Sequence, residues 1–344
     1  MSAATVTVGI PTYNRVGLLQ GAIDSVLAQE YEHFRILISD NASTDATSAL
    51  VASYRDPRID YVQSDHNVGV IGNFNRLIEL ADTDFLMLLS DDDRLYPDYL
   101  RSVVEVLEQH SSVGLVHTAF DELDIDSRVQ QRDIRVVKTR VPLTIESGPR
   151  FLERSMTSLP TCFSTVTGRT HAIREAGAMR AGEELFGDMR LVMRVALKWD
   201  VAFIARPLVG FRVHDDTQTR SVFGADAEQD EATNRALTYG QALHDRRIGF
   251  LADAELPKQT RDRYRALASL RLLADRAGLG APCLQTWAGF AQIVRLHPRI
   301  LAHPIAWRLV AAQSGGRSLR RVASGASPLA LRPRSSPEVE SPSR

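Results

Sequence analysis

The first 120 residues alternate short apolar runs with segments in which apolar residues recur every three or four positions. The short runs are typical of buried β-strands, and the recurring spacing is typical of amphipathic helices. Repeated strand–helix units of this length predict an α/β fold, in which a mostly parallel sheet has helices on both faces. The predicted strands are residues 5–10, 34–39, 59–63, 85–89 and 113–120.

Beyond residue 120 the pattern is less regular. Residues 121–145 are charged and irregular, with a short strand predicted at Val136 and Val137. Further helices are predicted at 148–157, 171–178, 187–198 and from 226 to about 277, and further strands at 201–204 and 208–213. We therefore predict a domain over residues 1–220, a helical C-terminal region over 221–312 and a disordered basic tail over 313–344.

Three consecutive carboxylates, Asp91, Asp92 and Asp93, follow the predicted strand at residues 85–89. Such neighbours repel one another by ~1 kcal/mol per pair in water, and by several where water is scarce. A divalent cation would relieve this repulsion, and oxygen ligands of this kind suit Mg²⁺ or Mn²⁺. The carboxyl ends of strands are also where open α/β sheets bind ligands. A solvated acidic turn is the alternative, because Asp favours turns.

Cysteine content and hydropathy favour a cytoplasmic protein. The two cysteines, Cys162 and Cys283, are far apart in the sequence and have no metal or redox spacing, which suits a reducing compartment. The N-terminus has no secretory pattern, and no apolar stretch approaches the ~20 residues that span a bilayer.

The C-terminal end of the chain is basic. Residues 295–344 contain nine Arg and no Lys against two Glu, a net charge of +7, whereas the remainder carries −8. Residues 286–312 also mix Trp and aliphatic residues with Arg, as interfacial helices do. Peripheral contact with the inner membrane leaflet through residues 286–334 is one interpretation, and packing against the rest of the protein is the other. We expect no nucleic-acid partner.

Five segments, taken in order, resemble the nucleotide-sugar-dependent glycosyltransferases of family 2, which have the GT-A fold. They are residues 8–14, 38–45, 67–69 and 88–93, and Gly187-Asp188 followed by Leu191 and Arg194. The resemblance covers roughly residues 5–215. It implies that residues 1–220 form a GT-A domain, with a nucleotide-binding half at 1–120 and an acceptor-binding half at 121–220.

The resemblance also implies which residues bind the donor nucleotide. The loop after the first strand would wrap the nucleobase and ribose, and Asp40 would accept a hydrogen bond from the base, with a lean to uracil or thymine. The implied donor-binding residues are Pro11, Thr12, Tyr13, Asn14, Asp40, Asn67, Gly69, Asn75, Asp91 and Asp92. Tight turns and helix capping are the alternative roles for these loop residues. Phe74 stands where many relatives have Arg.

By the same resemblance, Asp91 and Asp93 are the ends of an Asp-x-Asp metal element. Asp93 would coordinate the Mn²⁺ or Mg²⁺ that bridges the diphosphate, because bound metal neutralises charge on the leaving group. His214 would complete the metal shell or contact a phosphate, and Arg212 is a possible phosphate clamp. An exposed histidine without a ligand is the alternative for His214.

Asp188 matches the catalytic base of the family. In that role it takes the proton from an acceptor hydroxyl as the oxygen attacks C1, and a single displacement inverts the anomeric centre. The family usually has Glu-Asp here, but this chain has Gly187-Asp188, so Glu183 or Glu184 remains in play. Helix capping is the alternative role for Asp188.

We therefore predict a metal-dependent inverting glycosyltransferase that uses a nucleoside-diphosphate sugar, with UDP or dTDP favoured. The acceptor would be a hydroxyl of a glycan or lipid-linked molecule in cell-surface polysaccharide or glycolipid synthesis. A sugar-phosphate nucleotidyltransferase is the rival, although residues 11–15 are not the Gly-rich phosphate loop of such enzymes. A non-catalytic nucleotide-sugar-binding protein is the third interpretation.

Overall fold

The computed structural model describes residues 3–180, 183, 186–214, 229–278, 283–306 and 309. The strands within these ranges are β1 (Val6–Thr12), β2 (Phe34–Asp40), β3 (Ile59–Gln63), β4 (Phe85–Leu88), β5 (Arg94–Leu95), β6 (Val113–Leu123), β7 (Val129–Ile134), β8 (Leu143–Glu146), β9 (Val166–Arg169) and β10 (Asp200–Arg212). The helices are α1 (Val16–Leu27), α2 (Thr47–Ser53), α3 (Gly69–Leu80), α4 (Tyr99–Gln109), α5 (Gly148–Ser155), α6 (Thr170–Glu175), α7 (Gly187–Val195), α8 (Gln229–Asp253), α9 (Lys258–Gly278) and α10 (Cys283–Leu296).

The described strands form one sheet in the order β3-β2-β1-β4-β9-β6-β10-β5, with β7 paired to β6 and β8 paired to β10. The four strands from β3 to β4 are parallel, and β6 is parallel to β10. Strand β9 runs antiparallel between β4 and β6 and joins these two parts. The α/β class with a central sheet between helices is confirmed, and its second half is mixed rather than parallel.

Both faces of the sheet are buried, which explains why its first strands are continuous apolar runs. Val6, Val8 and Ile10 of β1 pack into one cluster with residues of α1 and α4. The other face packs against α3, α5, α7 and the C-terminal helices, with Leu77 and Phe151 fully buried. Burying each large apolar side chain stabilises the fold by about 1.5–3 kcal/mol.

The predicted strands of the first half are confirmed to within about three residues at each end, but two predictions for the second half are wrong. The separate strands at 201–204 and 208–213 are one strand, β10, because its pairing to β6 shifts register around Pro207 and then continues. Val136 and Val137 are not in a strand; Val137 instead packs beside Ala119 and Phe203. The strand in that region is β7, whose sequence is mostly polar and exposed.

The predicted helical C-terminal region is confirmed in the described residues, and its helices pack against α5 and α7. Arg247 of α8 is buried and donates hydrogen bonds of 2.8 and 2.9 Å to the carbonyls of Ser155 and Ser158 at the end of α5. An exposed ion pair between Arg263 and Glu153 links α9 to the same helix. The predicted tail at 313–344 lies outside the described residues. None of the described helices combines the length and apolar character that crossing a bilayer requires.

Candidate active site

The carboxyl ends of β1, β2 and β4 lie side by side and carry most of the polar residues that the sequence analysis selected. Thr12 of β1 pairs with Asp40 of β2, and β4 pairs with β1 on its other side. Asp91, in the loop after β4, accepts a buried hydrogen bond of 2.8 Å from Thr12 Oγ1. The loop after β1 and the carboxylate triplet therefore form one site.

Arg15 and His214 contact the first two carboxylates of the triplet. Arg15 Nη1 lies 3.3 Å from Asp91 Oδ1 and 3.2 Å from Asp92 Oδ2. His214 Nε2 lies 3.1 Å from the same oxygen of Asp92, so the structure brings this predicted metal ligand to the edge of the triplet. The sequence analysis did not select Arg15; the available signal was its position directly after the loop residues 11–14.

Asp93 is the most deeply buried of the three carboxylates. Its Oδ1 accepts a hydrogen bond of 2.7 Å from the backbone N–H of Arg212. Its Oδ2 is buried and has no hydrogen-bond partner among the described residues. Burial, and then the charge of Asp92, raise the pKa of Asp93 well above its usual value, while the nearby Ser164 hydroxyl and the N–H of Arg212 act in the opposite direction. A buried carboxylate oxygen without a donor is the feature that a cation would satisfy.

The donor set at this position fits a hard divalent cation. Mg²⁺ is commonly held by one or two carboxylates and takes its other ligands from substrate phosphates and water. Asp93 offers its free oxygen, and Asp91 keeps lone pairs beyond those used by Thr12 and Arg15. Among the described residues, no group of three or more His, Cys, Asp or Glu side chains is arranged to hold a metal by itself.

Arg212 has a structural role in this arrangement. Its buried guanidinium donates a hydrogen bond of 2.7 Å from Nε to the carbonyl of Asp92, and Nη1 donates to the carbonyls of Asp124 and Ile125. These contacts fasten the triplet to the turn between β6 and β7. The guanidinium therefore binds backbone carbonyls, which differs from the phosphate clamp that the sequence suggested.

Asp40 lies fully buried at the end of β2, where the sequence predicts the nucleobase contact. Its Oδ1 accepts a hydrogen bond of 2.8 Å from the backbone N–H of Ser43. Its Oδ2 accepts hydrogen bonds from the Tyr61 hydroxyl and from Gln63 Nε2. These partners hold the carboxylate at the sheet edge, and Oδ1, which has one donor, can accept a second hydrogen bond.

Side-chain amides connect the three loops that surround Asp40. Asn14 Oδ1 accepts a hydrogen bond of 2.7 Å from the backbone N–H of Thr44, which joins the loops after β1 and β2. Asn41 Nδ2 donates to Asn67 Oδ1 at 2.8 Å, which joins the loops after β2 and β3. Gly69 has a φ of 77°, a conformation that favours glycine.

The remaining residues of these loops differ in exposure. Pro11 is half-buried at the end of β1. Tyr13, in the loop after β1, is exposed. Asp45 accepts hydrogen bonds from the backbone N–H groups of Val16 and Thr47, which supports the capping role that the sequence suggested for it. The predicted donor loops thus leave the Tyr13 ring accessible while their backbones are tied together.

Asn75 makes a contact that the sequence did not indicate. Its Nδ2 donates to the carbonyl of Met179, and its Oδ1 accepts from the N–H of the same residue, both at 2.8 Å. The side chain therefore joins α3 to the segment that precedes α7. The neighbouring Phe74, where many relatives have Arg, packs edge-on against Phe163 at 5.0 Å between ring centroids.

Asp188 lies in the first turn of α7, which begins directly after Phe186, a residue with a left-handed φ of 63°. Burial raises the pKa of Asp188, and the backbone N–H of Met189 acts in the opposite direction. The charges of Asp93 and Asp188, after burial, both raise the pKa of the Cys162 thiol. Asp188, the candidate base, and Asp93 therefore both lie close enough to Cys162 for their charges to raise the pKa of its thiol.

Glu183, the alternative base, is committed to a buried ion pair. Its Oε1 lies 2.8 Å from Arg190 Nη1 and 3.6 Å from Arg194 Nη1, and its Oε2 accepts from the N–H of Arg180. A Cβ at Gly187 would lie 3.1 Å from the Cβ of Glu183, so this packing leaves little space for a larger residue. Glu184 lies outside the described residues.

The raised pKa of Asp91 should make stability depend on pH. Burial, and then Asp92, raise the pKa of Asp91 to about 6, so the folded state binds more protons than the unfolded state between about pH 4 and 6. The free energy of unfolding of the metal-free protein should therefore fall as pH rises through this window. In Asp91→Asn, the decrease in the free energy of unfolding across this window should be smaller than in the wild type by about 3 kcal/mol, measured by urea unfolding.

Asp126→Asn, at an exposed carboxylate, is the control and should keep the wild-type pH dependence. Identical pH dependence in the wild type and Asp91→Asn would contradict this assignment.

The sequence profile described as glycosyl transferase family 2 matches residues 7–170. The succinoglycan biosynthesis protein ExoO of Rhizobium meliloti is 33% identical over 156 residues, which cover 44% of this chain and 42% of that protein. The GalNAc(5)-diNAcBac-PP-undecaprenol beta-1,3-glucosyltransferase of Campylobacter jejuni is 33% identical over 111 residues, or 31% of this chain and 35% of that protein. The chain thus matches less than half the length of either relative.

Solved structures share the fold over almost the whole chain. TarS 1–349 of S. aureus, in complex with UDP-GlcNAc, has a TM-score of 0.61 and 14% identity, covering 90% of this chain and 89% of that one. The mannosyltransferase PcManGT of Pyrobaculum calidifontis, in complex with GDP-Man and Mn²⁺, has a TM-score of 0.51 and 17% identity, covering 91% and 86%. Together with the matched profile, these findings show a family 2 glycosyltransferase domain over residues 7–170 and a GT-A fold in the described part of the chain.

Proposed function

We propose that the protein transfers a sugar from a nucleoside diphosphate to a hydroxyl of a glycan or lipid-linked acceptor, with inversion at the anomeric carbon. The observation that carries the proposal is the buried carboxylate triplet at the carboxyl edge of the sheet, where Thr12 binds Asp91 and the N–H of Arg212 binds Asp93. Asp188 lies near enough to Asp93 for both charges to raise the pKa of Cys162. Further support comes from two relatives, named for succinoglycan biosynthesis and for a glucosyltransferase acting on an undecaprenol-linked glycan.

The donor would lie across the carboxyl ends of β1, β2 and β4. Tyr13 offers an exposed ring, and Asp40 a fixed carboxylate that suits a base N–H of uracil or thymine. Related folds bind UDP-GlcNAc in one case and GDP-Man in another, which supports a nucleotide-sugar donor of either kind. Our proposal favours UDP or dTDP on the resemblance of Asp40 to the family residue that contacts uracil or thymine, although a carboxylate also suits the N1–H of guanine.

Asp93 and Asp91 would hold a divalent cation, Mn²⁺ or Mg²⁺, with His214 beside them on Asp92. When bound, such an ion would neutralise the negative charge that the departing diphosphate develops. The chain itself supplies Arg15, whose guanidinium already offsets the charges of Asp91 and Asp92. The support for this part is the unpartnered buried oxygen of Asp93.

Asp188 would act as the general base. The acceptor hydroxyl transfers its proton to the Asp188 carboxylate while its oxygen bonds to C1. The bond from C1 to the diphosphate oxygen breaks, and its electron pair leaves with the nucleoside diphosphate. A carboxylate whose pKa is raised by burial is a stronger base than an exposed one. Glu183 is less suited to this role because arginines already neutralise it.

The other two interpretations have weaker support. A sugar-phosphate nucleotidyltransferase would hold the phosphates of a nucleoside triphosphate in a Gly-rich loop, whereas the loop after β1 carries Tyr13 and Asn14 and is fastened to the next loop. A non-catalytic sugar-nucleotide binder is favoured by Gly187 alone. The packing of Glu183 against Gly187 gives that glycine a structural reason instead.

A lipid-linked acceptor would bring the protein to a membrane surface. At the end of α10, Leu296 is 65% exposed and lies beside Arg295, and Leu301 and Arg299 are exposed close by. An apolar side chain flanked by arginines suits contact with an anionic bilayer. We include peripheral contact with the inner leaflet, in a cytoplasmic protein, in the proposal.

Removing the free carboxylate should remove the response to metal. Mn²⁺ together with a UDP- or dTDP-sugar should raise the melting temperature of the wild type above that of either ligand alone, because ligands bound only to the folded state stabilise it. Asp93→Asn should lose the Mn²⁺-dependent part of the shift, while Asp126→Asn keeps it. An equal shift in Asp93→Asn would show that the cation binds elsewhere.

Asp188→Asn should separate chemistry from donor binding. We expect transfer to fall by roughly 10²–10⁴-fold, because the variant lacks the proton acceptor, while the donor affinity measured by calorimetry stays within about twofold. The anomeric configuration of the wild-type product, read by NMR, should be inverted. Retained transfer in Asp188→Asn, or a product of retained configuration, would refute the assigned mechanism.

Membrane contact should depend on the exposed leucine near the basic C-terminus. The full chain should sediment with vesicles that contain phosphatidylglycerol at low salt and should dissociate as salt screens the attraction. Leu296→Asp should weaken this binding. Leu80→Asp, at an exposed leucine of α3, is the matched control and should not. Absence of sedimentation of the wild type at low salt would exclude the contact.

A further inference from the structure

The helical C-terminal region contacts the segment around Asp188 at two points. Phe186, two residues before Asp188, packs edge-on against Tyr239 of α8, with 5.2 Å between ring centroids. Arg190, two residues after it, lies with Nη2 2.5 Å from Oδ2 of Asp253, the last residue of α8. Both neighbours of the proposed base are therefore fixed by one helix from outside the 1–220 domain.

Asp253, whose side chain is 44% exposed, adds a solvent-accessible contact to the buried ion pair of Arg190 and Glu183. Oδ2 of Asp253 also lies 2.7 Å from Nη1 of Arg180, in the segment before α7. Arg190 is buried, and its other terminal nitrogen pairs with Glu183, which is 1% exposed. Asp253 thus joins two arginines that belong to different parts of the segment around Asp188. The Arg190–Glu183 pair is buried and holds its geometry, because breaking it would leave a buried charge without its partner, whereas Asp253 contacts Arg190 from the solvent side.

The start of α7 is fixed by core packing as well as by these contacts, since Met189, Leu191 and Val192 are buried in the main hydrophobic cluster. The helix begins after a residue in the left-handed region, and no side chain caps its N-terminus. Arg194, two turns on, donates to the carbonyls of Ala176 and Ala178, which ties the helix back to the preceding segment. The direction of Asp188 is therefore set by the packing of α7 as a unit.

Other contacts of the C-terminal region lie away from Asp188. Arg247, Tyr264 and Arg271 donate hydrogen bonds to backbone carbonyls in and after α5. The exposed pair of Arg263 and Glu153 joins the same helices. These contacts attach the region to the domain, whereas Asp253 and Tyr239 contact the residues beside the base. The two groups of contacts can be tested separately.

We propose that the C-terminal helix α8 positions the catalytic base, with Asp253 as the principal positioning residue and Tyr239 as the second. The inference rests on the proposed role of Asp188. It gives the region a part in catalysis that attachment or membrane contact would not require. A shift of about 1 Å in a reacting group can lower a rate by roughly 10²-fold, so a distant positioning contact can matter.

The experiment compares three variants of the full chain. Asp253→Asn should lower kcat for transfer by roughly 10–100-fold while the donor affinity stays within about twofold, because the donor loops lie on β1 to β4. Asp253→Glu, which restores the charge, should recover most of kcat. Arg263→Gln breaks an exposed ion pair of the same region and should leave kcat and the donor affinity unchanged.

Several outcomes would overturn the inference. They are an unchanged kcat in Asp253→Asn, an equal loss in Arg263→Gln, or no recovery in Asp253→Glu. If Asp253→Asn does not fold, Tyr239→Leu tests the second contact and should lower kcat with the same unchanged donor affinity. If Asp188→Asn loses transfer while Asp253→Asn keeps the wild-type kcat, only this inference is wrong. If Asp188→Asn retains transfer, the proposed function is wrong.

Discussion

The crowding of three buried carboxylates at one edge of the sheet is the constraint on which the rest of the site depends. Asp91, Asp92 and Asp93 are each at least nine-tenths buried, and like charges this close destabilise one another strongly away from water. The chain compensates from two directions. Arg15, after β1, lies against the first two carboxylates, and Arg212, at the end of β10, binds the backbone and the third. Strands far apart in sequence are thereby held together at this edge.

The sequence predicts the first half of the fold well because one physical rule governs it. Strands β1 to β4 are buried on both faces, so their apolar runs are continuous and their connecting helices amphipathic. The second half follows no such rule. Strand β7 is polar and exposed, and β9 is four residues long and pairs antiparallel with β4 and β6, more than 40 residues away. Such strands are specified by their partners rather than by their own pattern.

In the site, too, contacts between neighbouring parallel strands are predictable from the sequence, whereas contacts between distant irregular segments are not. The sequence places Thr12 and Asp91 in one site because parallel strands end at the same edge, and the hydrogen bond between them agrees. It does not reveal that Arg212 binds the turn after β6, or that Asn75 holds Met179, since these partners are 87 to 104 residues away. Some polar side chains near a site are available to contact a ligand, whereas others hold neighbouring segments in place. Only the three-dimensional structure shows which of these a given side chain does.

The acidic residues of the site differ in whether their carboxylate oxygens already have partners within the chain. Glu183 and Asp92 face cations, and Asp40 accepts three hydrogen bonds from its own chain, so each is held in place. Within the part of the chain that the structure describes, no donor forms a hydrogen bond with one buried oxygen of Asp93, and burial raises the pKa values of both Asp93 and Asp188. Carboxylates in unlike environments take unlike roles. A cation ligand and a proton acceptor are the roles that our proposal gives to Asp93 and Asp188, and the charges of both raise the pKa of the same buried Cys162 thiol.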